Sequence, residues 1–511
     1  MEERFGLKAD SAPVELDLSG ITLVAPGLEG DGTWYSRRMA GESRAFTGES
    51  PELDRALAEA GLEDRHTLVI EAPTPAVVVG GGRAIGGVRD DEMLLQVPTK
   101  PGEVAFVLYI DEAGIVSFHY REDAPARAPA LPSRAAGGAT LERFRISLRR
   151  GQSKRPGETR GLFSRLVAKI LKIVVVKLFP DQIGSFVARR VKAWEDAHRA
   201  AQGLHDGNWD RLLDPMPTPL ADLDRLQGRR SLLLIHGTTS STAGAFKELQ
   251  RFPDLLKRLS NAYEGRVIGF NHHTMSASVA ENVRQFYAAL ASNPGEYTFD
   301  IVCHSRGGLV ARALTQLSDS TCGTFLGTAW QRPADVRVNV DRIVFVATPN
   351  AGTQLAEPER LPAFVERLTN YVTMLPDSAL TLASGALMSI AGSIAEVGLP
   401  RLPGLADQAP NSMLLRSLAP PDGVSDRYFG FRANYSASGD LVDVVKDKVM
   451  DRIFERIEND LVVPTTGVST TTSFDLPVTR VVSFGTHRGV HHTNFFTQPE
   501  MSKLAEFLGA R

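Results

Sequence analysis

The chain has 511 residues, 43% of them hydrophobic and 23% charged, with a formal net charge of −3. That balance excludes a disordered chain and gives no electrostatic footprint for nucleic acid. Two cysteines, Cys303 and Cys322, exclude a disulfide scaffold, and neither the opening MEERFGLKAD nor any later apolar run has the character of a leader or a spanning helix, so the expectation is a cytoplasmic protein.

Residues 1–122 read as a β-rich N-terminal domain whose role and protein partner the sequence leaves unknown. HTLVIEA, PAVVVG and MLLQV are short apolar runs broken by Gly, Pro and Asp, and EVAFVLYIDEAGIVSFHY reads as a hairpin turning at DEAG. GGGRAIGG (80–87) misses the G-x-G-x-x-G spacing and reads as a plain turn. Residues 123–140 are rich in Ala, Pro and Gly and read as a linker.

Residues 141–227 then read as a basic helical connecting segment. Within it, GLFSRLVAKILKIVVVKLFP (161–180) carries Arg165, Lys169, Lys172 and Lys177 among apolar residues. The expectation is a helix packed on the body of the protein with a solvated basic edge. The alternative is an interfacial helix, making 143–199 a peripheral contact with anionic membrane.

From 228 to 511 strands alternate with helices, the pattern of a mostly parallel sheet. RSLLLIHG, RVIGF, TFDIVC, DRIVFVA, YFGFRANY and TRVVSF read as strands. FKELQRFPDLLKRL, SVAENVRQFYAAL, LVARALTQL and PEMSKLAEFL read as helices.

Chemistry concentrates at the ends of these strands. In FDIVCHSRGG, Ser305 stands between a strand and a helix opened by Gly307 and Gly308. A glycine there permits a hard turn that would raise the serine oxygen above the sheet edge, as in a G-x-S-x-G nucleophile elbow with Cys303 at the first position. The competing reading is a serine that caps an ordinary helix. LLLIHGTTSST runs from a strand into a loop of small residues, a source of a backbone donor for an oxyanion. Thr238 is the candidate there, Arg306 supplies the second amide, and His236 reads as structural.

A serine hydroxyl needs a base. GTHRGVHHTNFF offers His487, His491 and His492 between the last strand and the last helix; His492 is preferred and His491 is the alternative. Adjacent side chains of an extended stretch point opposite ways, so only one of the pair can face Ser305. The acid that would orient the base is Asp460 in ENDLVVP, with Asp440 in SASGDLVD as alternative. No histidine stands with acids or thiols at metal-ligand spacing, so neither metal nor cofactor is expected.

Taken in order, IHGT, CHSRGGLVAR, VATPNAGT, NDLVVP and VHHTNF resemble the serine lipase/esterase branch of the α/β-hydrolase superfamily, near GPI-inositol-deacylase-like and bacterial lipase-like hydrolases. The resemblance implies an α/β-hydrolase fold over 228–511 with a helical lid insertion at about 353–420. It also implies Ser305 as nucleophile, Asp460 as acid, His492 as base, Thr238 and Arg306 as oxyanion donors, and a small-molecule ester or lipid as substrate. Two alternatives stay open: a catalytically silent scaffold of the same fold, and a membrane-acting phospholipase effector.

Overall fold

The computed structural model describes residues 1–8, 12–36, 64–75, 88, 92–101, 103–110, 116–119, 121, 140–147, 168–177, 191–193, 195–196, 201–206, 219–357, 402–418, 424–435, 457–486 and 489–510. They fall into two units, one within Met1–Val187, the other within Ala188–Arg360 and Gly398–Arg511.

The first unit is built of antiparallel strands. They are β1 (Glu2–Leu7), β2 (Val14–Leu16), β3 (Ile21–Val24), β4 (Leu28–Ser36) and β5 (Asp64–Pro75). β6 (Glu92–Thr99), β7 (Glu103–Ile110), β8 (Val116–His119), β9 (Thr140–Ser147) and β10 (Ala168–Lys177) follow. A six-stranded sheet has the order β1-β4-β5-β10-β7-β8 and a four-stranded one β2-β3-β6-β9. Alternate residues of both sheets, among them Met93, Leu95 and Val97 on β6, Val107 and Tyr109 on β7, and Leu171 and Ile173 on β10, share one core. This period of two is what a packed pair of sheets requires. The expected hairpin forms, with Ile110 opposite Val116.

The helix expected over 161–180 does not form where that stretch is described. Residues Ala168–Lys177 are a strand paired on both sides, to β5 and to β7. The run Ile173-Val174-Val175-Val176 is β-branched throughout, which costs rotamer freedom in a helix and suits a pleated surface. Lys169 and Lys172 are buried rather than lining a solvated edge, and Lys169 Nζ donates to the Tyr109 hydroxyl at 3.1 Å. The GGGRAIGG turn and nearly all of the 123–140 linker lie outside the described residues.

The second unit holds β11 (Gly203–His205), β12 (Arg230–Ile235), α1 (Thr242–Phe246), α2 (Pro253–Ala262), β13 (Val267–Asn271) and α3 (Val279–Leu290). Then come β14 (Gly295–His304), α4 (Gly307–Gln316), α5 (Asp319–Leu326) and β15 (Val336–Val346). α6 (Pro403–Ala406), α7 (Met413–Ser417), β16 (Tyr428–Ala433), β17 (Val481–Phe484) and α8 (Lys503–Phe507) complete it.

Its seven strands run β11-β13-β12-β14-β15-β16-β17, parallel at every pair except β11 with β13. Leu233, Ile235, Ile301 and Phe345 face a core shared with Val283 and Phe286 of α3 and Leu309 of α4. Leu232, Leu234, Val302 and Val344 face a second core with Leu255 of α2 and Leu504 of α8. Burial on both faces explains why these strands read as continuous apolar runs.

One expected helix is broken. FKELQRFPDLLKRL forms a 3₁₀ turn over Lys247–Arg251 and then α2, because Pro253 has no N–H to continue a helix and is well placed to start one. Residues 358–401, most of the expected lid, lie outside the described residues.

Candidate active site

The carboxyl ends of β12, β14 and β15 lie side by side, with Ile235 paired to Cys303 and His304 to Val346. At this rim the chain passes from β14 into α4 through Ser305 at φ 53°. A positive φ on a residue other than glycine is strained and persists only when neighbours hold it. Here the Ser305 N–H donates to Val346 O at 2.8 Å and its carbonyl accepts Gly308 N–H at 3.0 Å. Gly307 is needed for close approach: a Cβ on it would lie 2.4 Å from Ile235 O. Gly237, in the loop after β12, passes so near that a Cβ would lie 2.6 Å from Ser305 Cβ.

His492, in the loop after β17, reaches Ser305 Oγ with Nε2 at 2.9 Å, and its Nδ1 meets Asp460 Oδ2 at 3.0 Å. Asp460 comes from the connection between β16 and β17. Its Oδ1 accepts the N–H of Val462 at 3.0 Å and of Val463 at 2.7 Å, so Oδ2 is the oxygen left for the imidazole. The His492 N–H also donates to Asp460 O at 3.0 Å, tying the two loops by main chain as well as side chain. With Nδ1–H donated to the carboxylate, Nε2 carries a lone pair toward the serine hydroxyl. All three residues are buried.

Of the other candidates, His491 lies 6.0 Å from Tyr435 ring to ring and within 3.3 Å of Thr493 Oγ1, so the two adjacent histidines do engage different partners. Asp440 and His487 lie outside the described residues. His236 donates through Nδ1 to Gly237 O at 2.9 Å and accepts His272 N–H on Nε2 at 3.1 Å, which fixes the loop after β12. Within that loop Thr238 Oγ1 accepts from Gln408 Nε2 at 3.2 Å, and among the described residues neither the Thr238 nor the Arg306 backbone N–H meets an acceptor.

Sequence reading used only the amide of Arg306 and missed its side chain. The guanidinium is buried and donates to Gly404 O (2.9 Å), Asn282 Oδ1 (2.9 Å) and Ala277 O (2.8 Å). Burial pulls it down to about 10, opposed by Asp407 and Glu195. Asp407, pushed up by burial to about 6 against the pull of Arg306, accepts Val279 N–H at 2.6 Å.

His304 was missed too. Its Nε2 donates to His492 O at 2.8 Å and its ring packs 5.1 Å from that of His492. Burial, with His492 adding to it, holds the His304 ring down to about 3, so it stays neutral beside the His492 ring. The strand-end histidine in CHS was the available signal for it; nothing in the sequence signals that a charged Arg306 is buried.

A search of curated proteins gives no match. Among solved structures the chain is similar to the mature lipase BlEst2 of Bacillus licheniformis, with 15% identity over 57% of this chain and 96% of that one, TM-score 0.31. It is similar to lipase 1 of Pelosinus fermentans, with 12% identity over 55% of this chain and 98% of that one, TM-score 0.33. EstA of Clostridium botulinum gives 13% identity over 63% and 98%, TM-score 0.37. Residues 198–509 match the family described as a domain of unknown function, DUF7379, and that span is more than half of the chain: the protein belongs to this family.

Proposed function

We propose that the chain is a serine hydrolase of the α/β-hydrolase type that cleaves a carboxylic ester through an acyl-enzyme. The observation that carries this reading is the continuous contact Ser305 Oγ to His492 Nε2 to Asp460 Oδ2, at 2.9 and 3.0 Å. Ser305 Oγ attacks the ester carbonyl carbon while its proton passes to His492 Nε2. Asp460 keeps the imidazole in the required tautomer and stabilises the imidazolium. Charge grows on the carbonyl oxygen only as the bond forms, and the N–H groups of Thr238 and Arg306 receive it; one such donor is worth about 3 kcal/mol. The His492 proton then goes to the leaving alkoxide. Water, deprotonated by the same imidazole, attacks the acyl carbon and restores Ser305.

The preference for an acyl or lipid ester rests on the apolar composition of NYVTMLPDSALTLASGALMSIAGSIAEVGLP, residues 370–400. The test is turnover of p-nitrophenyl esters with short and long acyl chains by the wild type and Ser305→Ala. Activity that depends on Ser305 and rises with chain length supports the reading. No turnover at any length, or turnover unaffected by Ser305→Ala, refutes it.

A further inference from the structure

The loop after β12 has to hold the Thr238 amide in place, yet its next residue is strained: Thr239 sits at φ 56°. A threonine resists this left-handed conformation, so something outside the loop must hold it there. The Thr239 N–H donates to Thr274 Oγ1 at 3.0 Å. Having accepted that bond, the Thr274 hydroxyl has its own proton to give, and the oxygen within reach is Glu195 Oε1 at 3.3 Å.

Glu195 is 1% exposed, and the bonds it accepts come from the loop after β13, residues 272–278, which carries Thr274. Oε1 also accepts the N–H of Thr274 at 2.8 Å and of Met275 at 3.1 Å. Oε2 accepts the Ser276 N–H at 3.0 Å and the Ser276 hydroxyl. Burial alone would raise the carboxyl, but the bonds from Ser276 and Thr274 outweigh it and hold Glu195 below the usual glutamate range. The Arg306 guanidinium closes the frame by donating to Ala277 O, the next residue of the loop.

We infer that Glu195 is a positioning residue: through the Thr274 hydroxyl its carboxylate locks Thr239 and thereby aims the Thr238 amide at the oxyanion. This rests on the hydrolase reading above. Nothing local in the sequence points to it, since Glu195 lies 79 residues before Thr274 and just outside the 198–509 family match. The relay makes one chemical demand: a hydroxyl at 274 that both accepts and donates.

The test compares Thr274→Val, Thr274→Ser and Glu195→Gln in the full-length chain, with kcat and KM for p-nitrophenyl butyrate normalised to active sites titrated with a fluorophosphonate. A merely structural role lowers the titratable fraction but leaves the rate of each titrated site alone. Thr274→Val and Glu195→Gln are expected to lower kcat per titrated site by about 10- to 100-fold with KM changed less than about twofold, because only the transition state uses a fully aimed donor. Thr274→Ser keeps the hydroxyl and is expected to retain wild-type kcat. Wild-type kcat per site in Thr274→Val, or equal losses in Thr274→Val and Thr274→Ser, overturns the relay alone. Turnover that survives Ser305→Ala overturns the hydrolase reading, a different outcome from the failure of the relay.

Discussion

The two ends of the seven-stranded sheet treat polar groups in contrasting ways. Toward the amino end, Tyr263 donates to Asp300 Oδ2 at 2.5 Å and Arg230 pairs with the same carboxylate. Arg230 and Arg342 both donate to Leu508 O at 2.6 Å, stitching β12, β14 and β15 to the C-terminal end of the chain. Most of the strained backbone stands at the carboxyl rim. Of the six described non-glycine residues with positive φ, Thr239, Ser305, Ala347 and Leu461 stand in the turns and loops at the candidate site. The amino end is tied by side chains reaching the C-terminal end of the chain, whereas at the carboxyl rim strained residues are held by hydrogen bonds from neighbouring elements, Ser305 N–H to Val346 O and Thr239 N–H to Thr274 Oγ1.

The difference implies that substitutions at the rim change rate and those at the amino end change stability. The largest expected effect is Ser305→Ala, which should lower kcat for ester turnover by about 10⁴-fold or more while the melting temperature stays near wild type. Asp460→Asn should follow with a loss of up to about 10⁴-fold in kcat, since an amide at 460 can favour the wrong His492 tautomer. A stability loss comparable to the rate loss in either variant would erase the contrast.

At the other end, Asp300→Ala should cost about 3 kcal/mol in denaturant unfolding by leaving the Tyr263 hydroxyl and part of the Arg230 charge unpaired. Activity per titrated site should be unchanged; a fall in kcat would show the two ends to be coupled.

The smallest effect is one of pH. The folded-state carboxyl of Asp407 is raised from 3.8 to about 6, so the folded protein holds a proton there that the unfolded chain has released. Its contribution is present at acid pH and is lost as pH rises between those two values. Asp407→Asn should flatten that part of the unfolding free energy against pH; an unchanged slope would show that Arg306 already compensates the charge.

How much of this was legible in sequence follows from distance along the chain. The convergence of Ser305, Asp460 and His492 was legible because each stands beside residues with local meaning: Gly307 after the serine at the end of β14, Pro464 after Asp460, and the turn into the last helix after His492. The parallel sheet was legible because its central strands carry apolar runs buried on both faces, such as LLLI of β12 and IVFV of β15. Ala168–Lys177 misled because lysines at 169 and 172 suggest a wetted face, and burial of Lys169 against the Tyr109 hydroxyl is a property of the packed sheet. The three bonds of Arg306 and the five that Glu195 accepts were illegible for the same reason: their partners are brought near only by the fold.

On the hydrolase reading, His492 and Asp460 together make Ser305 nucleophilic. Reaction of the full-length chain with a fluorophosphonate, followed by mass mapping of the adduct and by its rate in His492→Ala, tests it most directly. The expected result is a single adduct on Ser305, formed at least about 10²-fold more slowly without the imidazole. An adduct on another residue, or the same rate in His492→Ala, would contradict it.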